Sequence, residues 1–360
     1  MLAIPPVIPL MHESFELSQS AIGALASLPV VLFSFAALPG SLLVARFGAA
    51  HVLTVAIFVT ALASGLRAAG DVGMLFTMTF AMGVGIAIMQ PALPAVVGEW
   101  VPRRIALGTA TYANALLVGE AISASFTIPW VLPLVHDSWR ASLWVWAAPV
   151  AVIGLVSAAM TVRYRRHADA SATSRRWWPD WHDPLTWRLG VLLGFASSLY
   201  FASNAFLPDY LAARGRPDLL PAALSSLNWT QIPASIVMLA YAPRLTRRRW
   251  PFLVLGSIAL VTLLVLLFGP DEWIVVSSGV LGFCNAFMLI LSLALPPLLS
   301  PSQDVHRLSA AMLAIGYFSA FVTPIVGGAL WDLTRLPYVA FAPLILFGVA
   351  SLVIAARLRF

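Results

Sequence analysis

The chain has no lysine, a single cysteine and little charge of either sign. Only 10% of its 360 residues are charged, where a soluble domain carries about a quarter. That shortage excludes a soluble globular fold. The lone Cys284 excludes an intramolecular disulfide, and in an apolar run such a thiol reads as packing. Enzymatic motifs are missing too. There is no G-x-S-x-G, no H-E-x-x-H and no Walker loop. The six histidines all fall in or beside polar links. No enzyme, cofactor or metal is therefore expected. The opening MLAIPPVIPLM lacks the basic flank and small-residue cleavage site of a signal peptide.

What is present is apolar. Hydrophobic residues make up 60% of the chain and the mean hydropathy is +0.90, the composition of a polytopic membrane protein. Charge-free runs recur at 17–45, 47–66, 72–98, 105–133 (interrupted by Glu120), 141–162, 189–208, 219–243, 250–270, 273–303, 308–331 and 336–356. Each is long enough to cross a hydrocarbon core of ~30 Å at ~1.5 Å per residue. Residues 1–11 cover only ~16 Å as a helix and read as the second half of a helix whose first half is missing. With that fragment the plan is twelve helices. The net charge of +6 and pI near 10.1 do not imply nucleic acid, because the basic residues lie between apolar runs rather than on one face.

Orientation follows from the 21 arginines. With the turn at Arg46 inside, only Arg67, Arg140, Arg214, Arg216 and Arg335 fall outside. This positive-inside asymmetry predicts a cytoplasmic C-terminus in a bacterial inner membrane. The longest polar stretch, 163–184, contains Trp177, Trp178 and Trp181 and reads as an interfacial segment. It divides the chain into a six-helix half at 1–162, a cytoplasmic linker at 163–186 and a second half at 187–360. The halves are related. An offset of about 199 residues places ALASLP (24–29) on ALSSLN (223–228), Pro9 on Pro208, and MGVGIAIM (82–89) on LGFCNAFM (281–288). Parallel six-helix halves around a midplane site are a transporter architecture.

The chain is organised around the hairpin at 74–133. Glu120 sits in its second apolar run, on one helical stripe with Thr109, Ala113, Leu116, Ser123 and Thr127. Tyr112 lies to one side of that stripe and Asn114 well off it. An acid inside a span is costly and reads as functional by default. Desolvation would raise its pKa towards neutrality, which makes Glu120 the leading candidate for proton coupling. The bland alternative is a hydrogen-bonded acid that locks helices together. Other polar groups recur at helical spacing: Ser197, Tyr200 and Asn204; Asn228, Gln231 and Ser235; Ser278, Asn285 and Ser292; and Gln90 alone. Their bland reading is interhelical hydrogen bonding, at ~0.6 kcal/mol each. Arg67 and Arg140 lie at outer span ends. They could draw in an anion, but snorkelling to headgroups or local pairing, with Asp71 and Asp137 as nearby candidates, is the favoured expectation. Pro29, Pro39, Pro91, Pro94, Pro233 and Pro324 fall inside spans and predict kinks or breaks. Gly83, Gly85, Gly327 and Gly328 predict close helix approach.

These segments resemble the major facilitator superfamily, and within it the cyanate/nitroimidazole transporter branch. The likeness rests on LSQSAIGALASLPVVLFSFAALPGSLLVARFG, GVGIAIMQPALPAVV and SWRASLWVWAAP in the first half. In the second half it rests on NAFLPDYLAARG, LSSLNWTQIPAS and TPIVGGALWD. The resemblance implies an all-α membrane fold whose helices 1, 4, 7 and 10 line a cavity, flanked by helices 2, 5, 8 and 11. It puts Gln90, Asn204 and Asn285 centrally, with Glu120, Asn228, Gln231 and Tyr317 beside them. The superfamily's loop between helices 2 and 3 also places a gate at Arg46 and Gly48. Here the stretch is Ala45-Arg46-Phe47-Gly48-Ala49-Ala50-His51. The acid before Arg and the bases after Gly are gone, which puts that latch in doubt. A helix C-terminus could still hold Arg46 through its dipole.

The reading is a secondary transporter of a small organic molecule or anion, working by alternating access as a monomer in a lipid bilayer. With no nucleotide-binding domain, its energy source is a substrate or ion gradient, and protons are the preferred coupling ion. The rivals are a drug or metabolite exporter of the same fold and a membrane sensor that binds without transporting.

Overall fold

The computed structural model describes residues 7, 11, 15, 19–165, 177–246 and 248–358, with the side chains of 19–31, 120, 121, 124, 125, 164, 165 and 243 left outside. Helices succeed one another along the described chain: α1 (Gln19–Phe47), α2 (Ala49–Leu66), α3 (Val72–Trp100), α4 (Ile105–Phe126), α5 (Trp139–Arg165), α6 (Pro184–Ala213), α7 (Leu220–Trp229), α8 (Gln231–Leu245), α9 (Trp250–Phe268), α10 (Ile274–Ala294), α11 (Val305–Thr334) and α12 (Ala342–Ala356). Each of the eleven charge-free runs forms a helix or a broken pair of helices, because backbone groups in hydrocarbon must be satisfied within the segment. Eight described helical spans are long and apolar enough to cross a membrane, and the chain is a multi-pass membrane protein.

The interruptions sit at prolines. The run at 219–243 breaks at Thr230 into α7 and α8. Pro233 has no N–H to return to the Trp229 carbonyl, so the ladder fails there. Likewise α10 stops before Pro296 and Pro297, and the next turn is a separate four-residue helix. After α4, Thr127–Val131 widens into a π-helix that contains Pro129. In contrast, α3 absorbs Pro91 and Pro94 and α11 absorbs Pro324 without a break.

The chain falls into two compact units. The first holds Met1–Trp100, Ala115–Pro179 and Pro301–Ala310; the second holds Val101–Asn114, Asp180–Ser300 and Ala311–Phe360. In the first, α3 packs against α1 and α2, and α2 against α5. Gly85 is needed in this packing. A Cβ there would lie 2.6 Å from Thr60 Oγ1 and 3.2 Å from the Ala56 carbonyl oxygen. In the second, α10 packs against α6, α7, α8 and α9. A Cβ at Gly282 would fall on the carbonyl oxygen of Leu227, so α7 and α10 touch backbone to backbone. The Thr230 hydroxyl reinforces this approach by donating to the Gly279 carbonyl at 2.7 Å.

Candidate functional site

Eight of the candidate binding or coupling residues fall in the second unit, and four form one network at the α7–α8 break. Asn228 is its hub. Its Oδ1 accepts from the Tyr200 hydroxyl at 3.1 Å and from Gln231 Nε2 at 3.4 Å. Its Nδ2 donates to Asn204 Oδ1 at 3.2 Å and to the Leu224 carbonyl at 2.9 Å. An amide offers two acceptor sites and two donor hydrogens, so all of Asn228 is spent. It therefore ties α6 to both sides of the α7–α8 break. Capacity remains on its partners. Asn204 Nδ2 uses one hydrogen on the Tyr200 carbonyl at 2.9 Å and keeps another. Gln231 is buried and retains one N–H and its carbonyl oxygen.

The segmentation explains this convergence. Tyr200 and Asn204 stand one helical turn apart on α6, where Asn204 reaches back to the Tyr200 carbonyl. Asn228 closes α7 and Gln231 opens α8, so the Pro233 break sits between the two groups that meet.

One turn into α8, Ser235 accepts from Asn114 Nδ2 at 2.7 Å and donates to the Ile232 carbonyl at 2.7 Å. Asn114 is thus brought to the same helix as Gln231, although sequence reasoning set it off the Glu120 stripe. The Tyr112 hydroxyl is buried without a hydrogen-bond partner and within electrostatic reach of Tyr317. Asn285 is buried in α10. Ser203 Oγ, missed in the sequence, is also buried without a partner beside Asn204. A small hydroxyl in an apolar run gives no periodic signal.

The remaining candidates lie in the first unit. Gln90 is buried in α3, next to Pro91. The Glu120 side chain lies outside the described residues. On its stripe the exposure is uneven, since Thr109, Ala113 and Thr127 are buried and Leu116 is exposed. The Thr127 hydroxyl is already engaged by Trp146 Nε1 at 3.0 Å. Arg46 is exposed in the last turn of α1, where its charge suits the helix C-terminus. Gly48 follows with φ 81°, a left-handed conformation that favours glycine, and turns the chain into α2.

A second polar cluster went unseen because its partners are far apart in sequence. Ser41 of α1, fully buried, donates to the Trp177 carbonyl at 2.7 Å, and its oxygen lies 2.9 Å from Nδ1 of the buried His306. Since the Ser41 hydrogen goes to the carbonyl, His306 Nδ1–H is the donor in that contact. Next to it, Arg307 donates to the Trp178 carbonyl at 2.9 Å and pairs with Asp304 at 2.6 Å. The linker residues thus hold both α1 and the first turn of α11. The available sequence signal was only the polar pair His306-Arg307, read as an ordinary link.

Of the alternatives expected for Arg67 and Arg140, ion pairing with Asp71 and Asp137 is not formed: among the described residues neither arginine has a carboxylate within 4.0 Å. Arg140 instead donates to the Ala68 and Gly70 carbonyls at 2.7 and 3.0 Å, the open C-terminal acceptors after α2. Asp71 accepts from the Met74 backbone N–H at 2.9 Å. No group of three or more metal-ligating side chains occurs among the described residues.

Comparison with known proteins agrees with this architecture. Residues 1–272 match the sequence profile of the Major Facilitator Superfamily. The chain is 28% identical to the Escherichia coli cyanate transport protein CynX, over 91% of this chain and 85% of that one. It is 24% identical to the 2-nitroimidazole transporter of the same organism, over 91% and 83% of the two chains. The crystal structure of FucP in its outward conformation superimposes with a TM-score of 0.70 at 14% identity, covering 99% of this chain and 95% of that one.

Proposed function

The chain belongs to the Major Facilitator Superfamily, and from that premise we propose that it is a secondary transporter of a compact, polar, nitrogen-containing molecule, neutral or singly charged. It is a transporter and not an enzyme. The observation that carries the substrate class is the Tyr200–Asn204–Asn228–Gln231 network. Its groups are uncharged, Gln231 is buried and the other three are half-buried, and Asn204 and Gln231 keep both donor and acceptor capacity. Such groups satisfy a small conjugated ligand that accepts, or both accepts and donates, hydrogen bonds. They would not repay the desolvation of a multiply charged one. Two relatives bear the names of cyanate and 2-nitroimidazole, which are compact nitrogen compounds of this kind.

Transport proceeds by alternating access between halves at 1–162 and 187–360 of a monomer in the bacterial inner membrane, with the C-terminus inside. Closure on the arginine-rich side uses two contacts in place of the missing acidic latch. One is the Ser41–His306 bond with its linker carbonyl; the other is the Asn114–Ser235 bond. Glu120 carries the coupling proton. The test is flux into proteoliposomes. Cyanate and 2-nitroimidazole should accumulate under an imposed proton gradient, and Glu120→Gln should retain exchange but lose accumulation. Binding of either compound without flux would instead make the protein a sensor. Full accumulation by Glu120→Gln would remove Glu120 from coupling.

A further inference from the structure

The turn after α2 carries a buried cation with no carboxylate partner among the described residues. Arg67 is 1% exposed. Its guanidinium is held along one edge by a single residue: Nη2 donates to Ser64 Oγ at 3.0 Å and Nε reaches the Ser64 carbonyl at 3.4 Å. The other end is unsatisfied, since Nη1 is buried and has no hydrogen-bond partner. Burial lowers the group to about 10, so it remains charged at neutral pH.

A second guanidinium adds to the local positive charge. Arg140 spans the Ala68 and Gly70 carbonyls, immediately after Arg67. Arg140 is provided for, because it lies 5.2 Å from the Phe15 ring centroid and 4.9 Å from that of Trp139. The nearest acid in sequence, Asp71, points one oxygen at the next helix's N–H groups. Two cations thus share one turn, neither has an ion-pair partner among the described residues, and one of them is fully buried with free N–H groups. Ionised groups this deep are otherwise paired.

We propose that Arg67 is the anchor of an anion site that takes a phosphate-type oxyanion, either free or as a lipid headgroup. A fork with Nη1 unsatisfied and one Nη2 hydrogen spare matches two oxygens of such a group. Ser64 supplies the orientation and Arg140 the neighbouring field. The site stands apart from the amide network and does not depend on what that network transports.

The test uses the purified full-length protein, unfolded thermally while tryptophan fluorescence is followed. Inorganic phosphate is titrated against chloride at matched ionic strength. The wild type should rise by ~2 °C or more as phosphate saturates. Arg67→Gln should give no rise. Arg67→Lys keeps the charge but not the fork, so its apparent affinity should fall ~tenfold; this variant also decides the matter if Arg67→Gln does not fold. If the wild type shows no phosphate response, mass spectrometry of protein from phosphatidylglycerol nanodiscs reads the lipid source. A retained phosphatidylglycerol adduct that is lost in Arg67→Lys assigns the site to a headgroup. A wild type with neither a phosphate response nor a phosphatidylglycerol adduct overturns the proposal, as does any response or adduct that is unchanged in Arg67→Lys.

Discussion

Replacing Asn228 by alanine separates a positioning role from mere packing. The side chain makes two hydrogen bonds to α6, one from the Tyr200 hydroxyl at 3.1 Å and one to Asn204 Oδ1 at 3.2 Å. In membrane proteins such bonds average ~0.6 kcal/mol, so their joint loss costs about 1.2 kcal/mol. That is roughly eightfold in the folding equilibrium and about 1–2 °C in melting temperature. The variant should fold. Its binding should suffer more. Asn204 and Gln231 lose the group that orients them, and two misaligned ligand hydrogen bonds at ~1 kcal/mol each correspond to ~30-fold in KM. The assay is 2-nitroimidazole flux in proteoliposomes, alongside thermal unfolding of the same preparation. A melting shift with unchanged KM would show that the network only holds helices together. No change in either quantity would mean that the hub is not formed.

Other substitutions probe separate parts of the account. Gly282→Ala places a methyl group on the Leu227 carbonyl and should lower stability by about 1–3 kcal/mol, measured by thermal unfolding. Gly48→Ala meets no atom within 4 Å, so only its left-handed backbone resists and the loss should be about 1 kcal/mol. Ser41→Ala and His306→Ala should each increase labelling of a cysteine placed beside Trp177, since the bonds holding the linker are removed. Asp218 is held below the usual carboxylate range by the Arg216 guanidinium. Its stabilisation is therefore present at neutral pH and lost as the pH falls through that lowered range. The melting temperature of Asp218→Asn should accordingly be less sensitive to acid than that of the wild type, by a small margin because the pair is exposed.

The helical plan was legible because it rests on charge-free length, which needs no knowledge of neighbours. Helix breaks were legible only as a class. Pro233 and Pro91 look alike in sequence, yet the first ends a helix and the second does not. The difference lies in what the surrounding packing re-satisfies. Helical spacing grouped Tyr200 with Asn204 and Asn228 with Gln231, but it could not join the two pairs. Nor could it show that Asn228 spends every hydrogen-bonding position on protein. The Ser41–His306 contact joins residues 265 positions apart, beyond the reach of any local pattern. The arginines misled for a related reason. Asp71 and Asp137 are neighbours in sequence, but carbonyl groups at the end of α2 were closer acceptors for Arg140.

The most direct measurement is ligand-induced thermal stabilisation of the wild type and Gln231→Leu with cyanate and 2-nitroimidazole, at two pH values. The wild type should show a rise that is lost in Gln231→Leu, and that differs between the two pH values if a titrating group such as Glu120 is linked to binding. An equal rise in both proteins would contradict it, because the ligand would then bind away from the amide network.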